Sequence, residues 1–240
     1  MSFTLSEVVP WGRSYDEYVS MFSLSQADLK QKILGCGDGP ANFNSTLSSK
    51  GGLIVSVDPV YFFTSEEIRK RITETYELVL EQTRKNREEF IWENISSIEE
   101  LGRIRMSAME SFLKDFEKGK AEGRYIAGSL PHLPFYGKEF GIALCSHLLF
   151  LYSKQLSEEF HFASIRELCR VAQEVRIFPL LELGAKKSRH INPVVARLKK
   201  EHYHFEIRKV PYEFQKDGNE MIIIKSPNRI AGGFSPPASR

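Results

Sequence analysis

Two short blocks, QKILGCGDGPANF over 31–43 and LIVSVDP over 53–59, constrain the fold of this chain more than any other feature. Each holds an apolar run of strand length, and the glycine-rich turn after the first leads into a helical stretch near 40–49. Such a turn lets the backbone approach a ligand closely and aims the free amides of a helix N-terminus at it. Pro40 suits a first helical position. The second run ends in Asp58, roughly 20 residues past the turn, where a carboxylate can accept hydrogen bonds from both hydroxyls of a ribose. A P-loop is excluded because no Gly-Lys-Ser/Thr follows the turn. The spacing G-x-G-x-G also departs from the G-x-G-x-x-G of a dinucleotide fold, which makes a nicotinamide-dependent oxidoreductase the weakest reading.

Five further strand-like runs follow: RYIAGSL, EFGIALCSH, EVRIFPL, HFEIRKV and EMIIIKS. Helical patterns lie between them near 158–172 and 193–202, and the last two runs are separated only by a stretch containing Asp217 and Gly218. Alternation of this kind predicts a Rossmann-like, doubly wound α/β fold with a seven-stranded, mostly parallel sheet that closes in an antiparallel hairpin. Residues 64–119 form a helical insertion between strands 2 and 3. Its helices are expected at 65–90 and 97–119, each behind a capping box, Thr64 to Glu67 and Ser96 to Glu99. The chain reads as one domain over 1–240, with an N-terminal helical segment at 1–28 and a Gly, Pro and Ser rich tail at 228–240 expected to fray.

The first two blocks, with GSLPHLPFYGKEFGIALCSHLLFLY at 128–152, resemble the class I S-adenosylmethionine-dependent methyltransferases. The resemblance implies S-adenosyl-L-methionine as cofactor, held by Gly35, Cys36, Gly37, Asp38, Gly39, Asp58, Pro59, Ser129, Leu130, Cys145 and Ser146. Aligning Asp58 with the family's ribose-binding acid without a gap matches Gly37, Gly39 and Ala41 to the glycine positions. Gly35 then stands where the family carries an acid. A gapped alternative matches Gly35, Gly37 and Gly39 and puts Ile33 at that position; the ungapped register is preferred. A second departure is Ser129, where the family's adenine-binding acid falls, since a hydroxyl is a weaker acceptor than a carboxylate.

Methyl transfer needs alignment and, for some acceptors, a base. His147, at the end of the fourth strand, is the candidate base, with a purely structural role as the competing reading. Trp11, Arg13, Tyr15 and Tyr152 are candidates for a lid or substrate pocket, and a short packing helix around Tyr18, Met21 and Phe22 is the alternative for the N-terminal segment. The tetrapeptide DPVY at 58–61 is similar to an amino-methylation motif but follows the wrong strand. The acceptor is expected to be a small molecule. A catalytically degenerate scaffold protein, or an RNA or protein methyltransferase using the basic loop KKSRHINP at 186–193, are the alternatives.

A net charge of +2 supplies no global field for nucleic acid, so any such partner needs a local patch. The longest apolar run, Phe140 to Tyr152, is shorter than the roughly 20 residues of a membrane helix, and the N-terminus lacks a signal-peptide pattern. A cytoplasmic protein without membrane association is the expectation. Cys36, Cys145 and Cys169 are widely spaced and suggest buried free thiols, with neither a disulfide framework nor a metal site.

Overall fold

The computed structural model describes residues 9–227; the expected tail at 228–240 lies outside them, as do the first eight residues of the 1–28 segment. In chain order the elements are α1 (Tyr15–Met21), β1 (Lys32–Cys36), α2 (Phe43–Ser49), β2 (Leu53–Val57), α3 (Ser65–Lys85), α4 (Ile98–Ala121), β3 (Tyr125–Ile126) and β4 (Phe140–Ser146). There follow α5 (Glu158–Val171), β5 (Ala172–Phe178), the two-residue strands β6 (Leu181–Glu182) and β7 (Lys186–Lys187), α6 (Ile191–Lys200), β8 (His204–Lys209) and β9 (Glu220–Lys225).

The seven-stranded sheet runs β3-β2-β1-β4-β5-β9-β8. Leu34 faces Val55 of β2 on one side and Ala143 of β4 on the other, both in parallel register. β5 continues the parallel set beside β4, and β9 then enters antiparallel, pairing Ile222 with Ile177 and with Ile207 of β8. This is the expected doubly wound sheet with its closing hairpin. Chain direction away from the centre reverses between β1 and β4, so their carboxyl ends flank the cleft where such sheets bind ligands.

Burial on both faces explains the unbroken apolar runs. In β4, Phe140, Ile142, Ala143, Leu144 and Cys145 are all essentially inaccessible. One face is covered by α5 and α6 through Phe162, Ile165, Leu168, Val194 and Leu198; the other is covered by α1 and α2 through Tyr18, Phe22, Phe43 and Leu47. β8 is one edge, and its sequence HFEIRK leaves it largely exposed and charged, which discourages pairing with another chain.

Several boundaries differ from the sequence expectation for identifiable reasons. α2 begins at Phe43 with Asn42 before it, so Pro40 belongs to the turn and not to a first helical position. The capping box of α3 forms as expected, the Thr64 hydroxyl accepting from Glu67 N and the Glu67 carboxylate from Thr64 N. That of α4 is displaced by one residue: Ser97 is the cap and accepts from Glu100 N, while Ser96 donates to the Glu100 carboxylate. α3 stops at Lys85, where Asn86 closes it, short of the expected 90. β3 is reduced to Tyr125–Ile126, since Gly128 and the exposed Ser129 have already left the sheet. The three cysteines are free and buried. No described helix is long and apolar enough to cross a membrane.

Candidate functional site

The carboxyl ends of β1, β2 and β4 open into a cavity of about 460 Å³, a size suited to a small ligand. Its floor is Cys36, Gly37, Asp38 and Gly39 after β1, Asp58 and Pro59 after β2, Ser129 and Leu130 after β3, and Ser146 and His147 at the end of β4. Its roof comes from parts remote in sequence: Trp11 and Arg13 before α1, Val79 of α3, Leu101 and Arg105 of α4, and Tyr212 and Phe214 between β8 and β9. The insertion and the N-terminal segment therefore both cover the cleft.

Gly37 and Gly39 have φ of +71° and +53°, a conformation that costs glycine nothing and most residues something. That turn brings Gly39 N to donate to Asp58 Oδ2 at 2.9 Å, while Val60 N donates to Asp58 Oδ1 at 2.8 Å. Burial pushes the Asp58 carboxyl above its ordinary range, against these two bonds.

Asp38 folds back under the turn. Tyr18 Oη donates to its Oδ1 at 2.9 Å and Ser56 Oγ to its Oδ2 at 2.6 Å. A Cβ placed on Gly35 would lie 1.7 Å from Asp38 Oδ2, so the Asp38 carboxylate occupies the space that a side chain at 35 would enter. Burial raises the Asp38 pKa to about 6, opposed by the bonds from Ser56 and Tyr18 and reinforced by Asp58. Among the described residues no cation forms an ion pair with either carboxylate, although both line the cavity. A buried and a half-buried carboxylate facing a cavity without a counter-charge among the described residues fit a cationic, hydroxyl-bearing ligand.

His147 has φ of +53°, rare outside glycine, and its N–H donates to Phe178 O at 2.8 Å. Its Nδ1 is 2.8 Å from Ser146 Oγ. Burial, with the charges of Arg13 and Arg105, holds the imidazole well below its ordinary pKa and therefore neutral near pH 7. Around the roof, Arg105 is fully enclosed on α4 and donates to Glu17 Oε2; Tyr212 Oη donates to Glu17 Oε1 at 2.9 Å.

Of the candidates named from sequence, the cavity collects Cys36, Gly37, Asp38, Gly39, Asp58, Pro59, Ser129, Leu130, Ser146, His147, Trp11, Arg13 and Tyr152. Three fall elsewhere. Gly35 lies within β1 with Asp38 between it and the cavity. Cys145 points into the sheet's core, where burial raises its thiol pKa to about 12. Tyr15 stacks on Phe43 at 5.6 Å between ring centres and gives its N–H to Asn42 Oδ1, on the outer side of α1. Tyr18, placed from sequence in the N-terminal segment as part of a lid or of a packing helix, both lines the cavity and packs in the core, while Arg105 and Tyr212 were missed. Arg105 did leave a signal, an arginine in register with Leu101, Ala108 and Phe112 on the apolar face of α4. The basic loop 186–193 lines no part of the cavity, and Arg189 is held by both oxygens of Glu182 at 2.8 Å. Among the described residues, no group of His, Cys, Asp and Glu is arranged to hold a metal ion.

No protein-family model matches the chain. Among solved structures it is similar to the methyltransferase domain of bacterial CtHen1-C, at 12% identity over 89% of this chain and 97% of that one with a TM-score of 0.47. It is also similar to magnesium protoporphyrin IX methyltransferase from Synechocystis PCC 6803 with bound SAM, at 12% identity over 88% of this chain and 77% of that one with a TM-score of 0.46. The fold itself is defined by the strand order and the closing hairpin, which are those of the Rossmann-like methyltransferase fold. In sequence, the uncharacterized protein MJ0045 of Methanocaldococcus jannaschii is 33% identical over 224 residues, covering 92% of this chain and 97% of that protein. With this identity across nearly the whole of both chains, the protein belongs to the same family as MJ0045.

Proposed function

We propose that the chain is an S-adenosyl-L-methionine-dependent methyltransferase acting on a small molecule. The observation that carries this reading is the pair of carboxylates, buried Asp38 and half-buried Asp58, facing one cavity at the switch point of the sheet with no cation of the described chain against them. When bound, the cofactor supplies a methyl group on a positively charged sulfur. In this reading Asp58 accepts from the ribose hydroxyls and Asp38 from the ammonium group, taking over the role that an acid at position 35 would fill. Gly37 and Gly39 admit the ligand close to the backbone, and Ser129 and Leu130 border the adenine.

His147 is the base. Its Nδ1 bonds Ser146 Oγ at 2.8 Å, and in the tautomer that carries the proton on Nδ1 that nitrogen is the donor. Nε2 is then the lone-pair nitrogen, ready to take a proton from an acceptor hydroxyl, amine or thiol. The roof of Trp11, α3, α4 and the Tyr212 loop encloses the site, which favours a small acceptor over a folded macromolecule. The pairing of Arg189 with Glu182 weakens the case for the loop at 186–193 as a nucleic-acid contact.

Titration calorimetry with S-adenosylmethionine and with S-adenosylhomocysteine tests the proposal. Micromolar binding is expected, and Asp58→Ala is expected to weaken it more than tenfold, about 1.4 kcal/mol. Absence of binding by either compound at high micromolar concentration, or an unchanged affinity in the variant, would refute it.

A further inference from the structure

The tetrapeptide DPVY at 58–61 follows β2, the wrong strand for an amino-methylation motif, yet both of its ends reach the glycine turn after β1. Asp58 caps a short 3-10 turn over Pro59–Phe62, its Oδ1 accepting from Val60 N at 2.8 Å. Pro59 takes the first position of that turn, where its fixed φ costs no hydrogen bond. Tyr61 N donates to Asp58 O at 3.2 Å, which folds the Tyr61 side chain back toward β1. There the Tyr61 hydroxyl donates to Gly39 O at 2.8 Å, while Asp58 Oδ2 accepts from Gly39 N at 2.9 Å. The N–H and the C=O of one glycine are thus held by the two ends of one tetrapeptide.

Gly39 needs such a hold. Its φ is +53°, and glycine has many other conformations open to it. A Cβ placed on Gly39 would meet nothing within 4 Å, so no packing on that side fixes the residue. A ligand that meets a loose turn must order it, and a turn ordered in advance lowers the cost of binding. Tyr61 is fully buried and stands behind the turn, not on the cavity wall. Its hydroxyl is aimed by the packing of its ring against Phe112 and Phe116 of α4, at 5.9 and 5.8 Å between ring centres, and against Tyr125 of β3 at 5.2 Å. The helical insertion therefore supports the glycine turn from behind as well as roofing the cavity.

We propose that Tyr61 is a positioning residue: with Asp58 it clamps Gly39 in the conformation that receives the cofactor, and the insertion holds the clamp in place through the aromatic cluster. The gain in cofactor affinity rests on the methyltransferase reading; the clamp itself does not.

The test compares two variants that each delete one hydroxyl from the same cluster. Tyr61→Phe removes the bond to Gly39 O, and Tyr125→Phe removes the bond that Tyr125 Oη gives to Asp115 Oδ2 at 3.1 Å, which does not involve the turn. Calorimetric titration with S-adenosylhomocysteine is expected to show about fivefold weaker binding in Tyr61→Phe, the usual worth of one hydrogen bond, and the parent's affinity in Tyr125→Phe. Amide hydrogen exchange in the ligand-free protein supplies a second readout, the rate at Gly39 relative to that at Leu144 in the centre of the sheet. That ratio is expected to rise about fivefold in Tyr61→Phe and to keep its parent value in Tyr125→Phe. A general loss of stability would speed both amides and leave the ratio unmoved. The proposal is overturned if the ratio does not change in Tyr61→Phe, if Tyr125→Phe reproduces either effect, or if Tyr61→Phe binds S-adenosylhomocysteine as tightly as a parent that binds it. If the parent binds none, the cofactor reading falls, and the exchange ratio alone upholds or overturns the clamp.

Discussion

Asp38 is the residue at which spacing along the chain and position in space part company. The sequence places Gly35 where an acid is expected, and the turn then carries a carboxylate from three residues later back into that space, 1.7 Å from where a Cβ at 35 would be. The dihedrals of Gly37 that permit this are not encoded in residue spacing, so the glycines and Asp58 could be singled out from sequence while the position of the Asp38 carboxylate could not. A pH dependence follows. Burial holds the Asp38 pKa at about 6, above its ordinary 3.8, so the folded protein binds a proton that the unfolded chain releases between those values. In the free protein this contribution to stability is therefore present at the acidic end and declines as pH rises from about 4 to 6. A cationic ligand needs the ionised form, so its affinity changes in the opposite sense. S-adenosylhomocysteine should bind about tenfold more weakly at pH 5 than at pH 7. Asp38→Asn should bind weakly at both, with that step absent; calorimetry at the two pH values decides, and a step of equal size in the variant would assign it to another group.

At the scale of elements, what was readable was what local chemistry dictates. The apolar runs of β1, β2 and β4 are continuous because both of their faces are covered, and the helical insertion announced itself through its caps and its 3.6-residue stripe. Ends were less legible where neighbouring residues can do the same job. Ser96 and Ser97 are both hydroxyls, followed by Glu99 and Glu100, and only the packing of Ile98 and Leu101 into the insertion's small core selects the second register. At Thr64 the neighbouring hydroxyl, Ser65, has Ile68 and not an acid three residues on, so the capping box has one register. Thr64→Ala should cost about 1 kcal/mol, the usual worth of a lost threonine N-cap. For a chain of this size that lowers the thermal midpoint by about 2–4 °C, to be read by circular dichroism at fixed pH. A midpoint within error of the parent would mean that α3 is held by its buried face alone.

The molecule as a whole is closed by contacts that no local pattern announces. The loop between β8 and β9 crosses to the insertion, where Ile91 N donates to Phe214 O at 2.8 Å and Lys216 N to Glu89 O at 3.0 Å. The N-terminal segment meets both at Glu17, which accepts from Arg105 of α4 and Tyr212 of the loop and also caps α1 through Ser14 N at 2.9 Å. One carboxylate thus joins three parts of the roof that lie far apart in sequence. Burial by itself would raise the Glu17 pKa, but the charge and hydrogen bond of Arg105, with Arg13 and Ser14, outweigh it and lower the value to about 2. A carboxyl depressed below its ordinary 4.5 stabilises the fold fully above that pH, and the contribution disappears as pH falls toward 2. Glu17→Gln removes the charge but keeps the shape, leaving Arg105 enclosed without a counter-ion, a change that costs about 3–5 kcal/mol when one partner of a buried pair is lost. Urea unfolding at pH 7 should show that loss, and at pH 3 the gap between the variant and the parent should narrow. A gap that stays constant with pH would mean that Glu17 holds the roof through its hydrogen bonds alone and that its charge contributes nothing to closing the cavity.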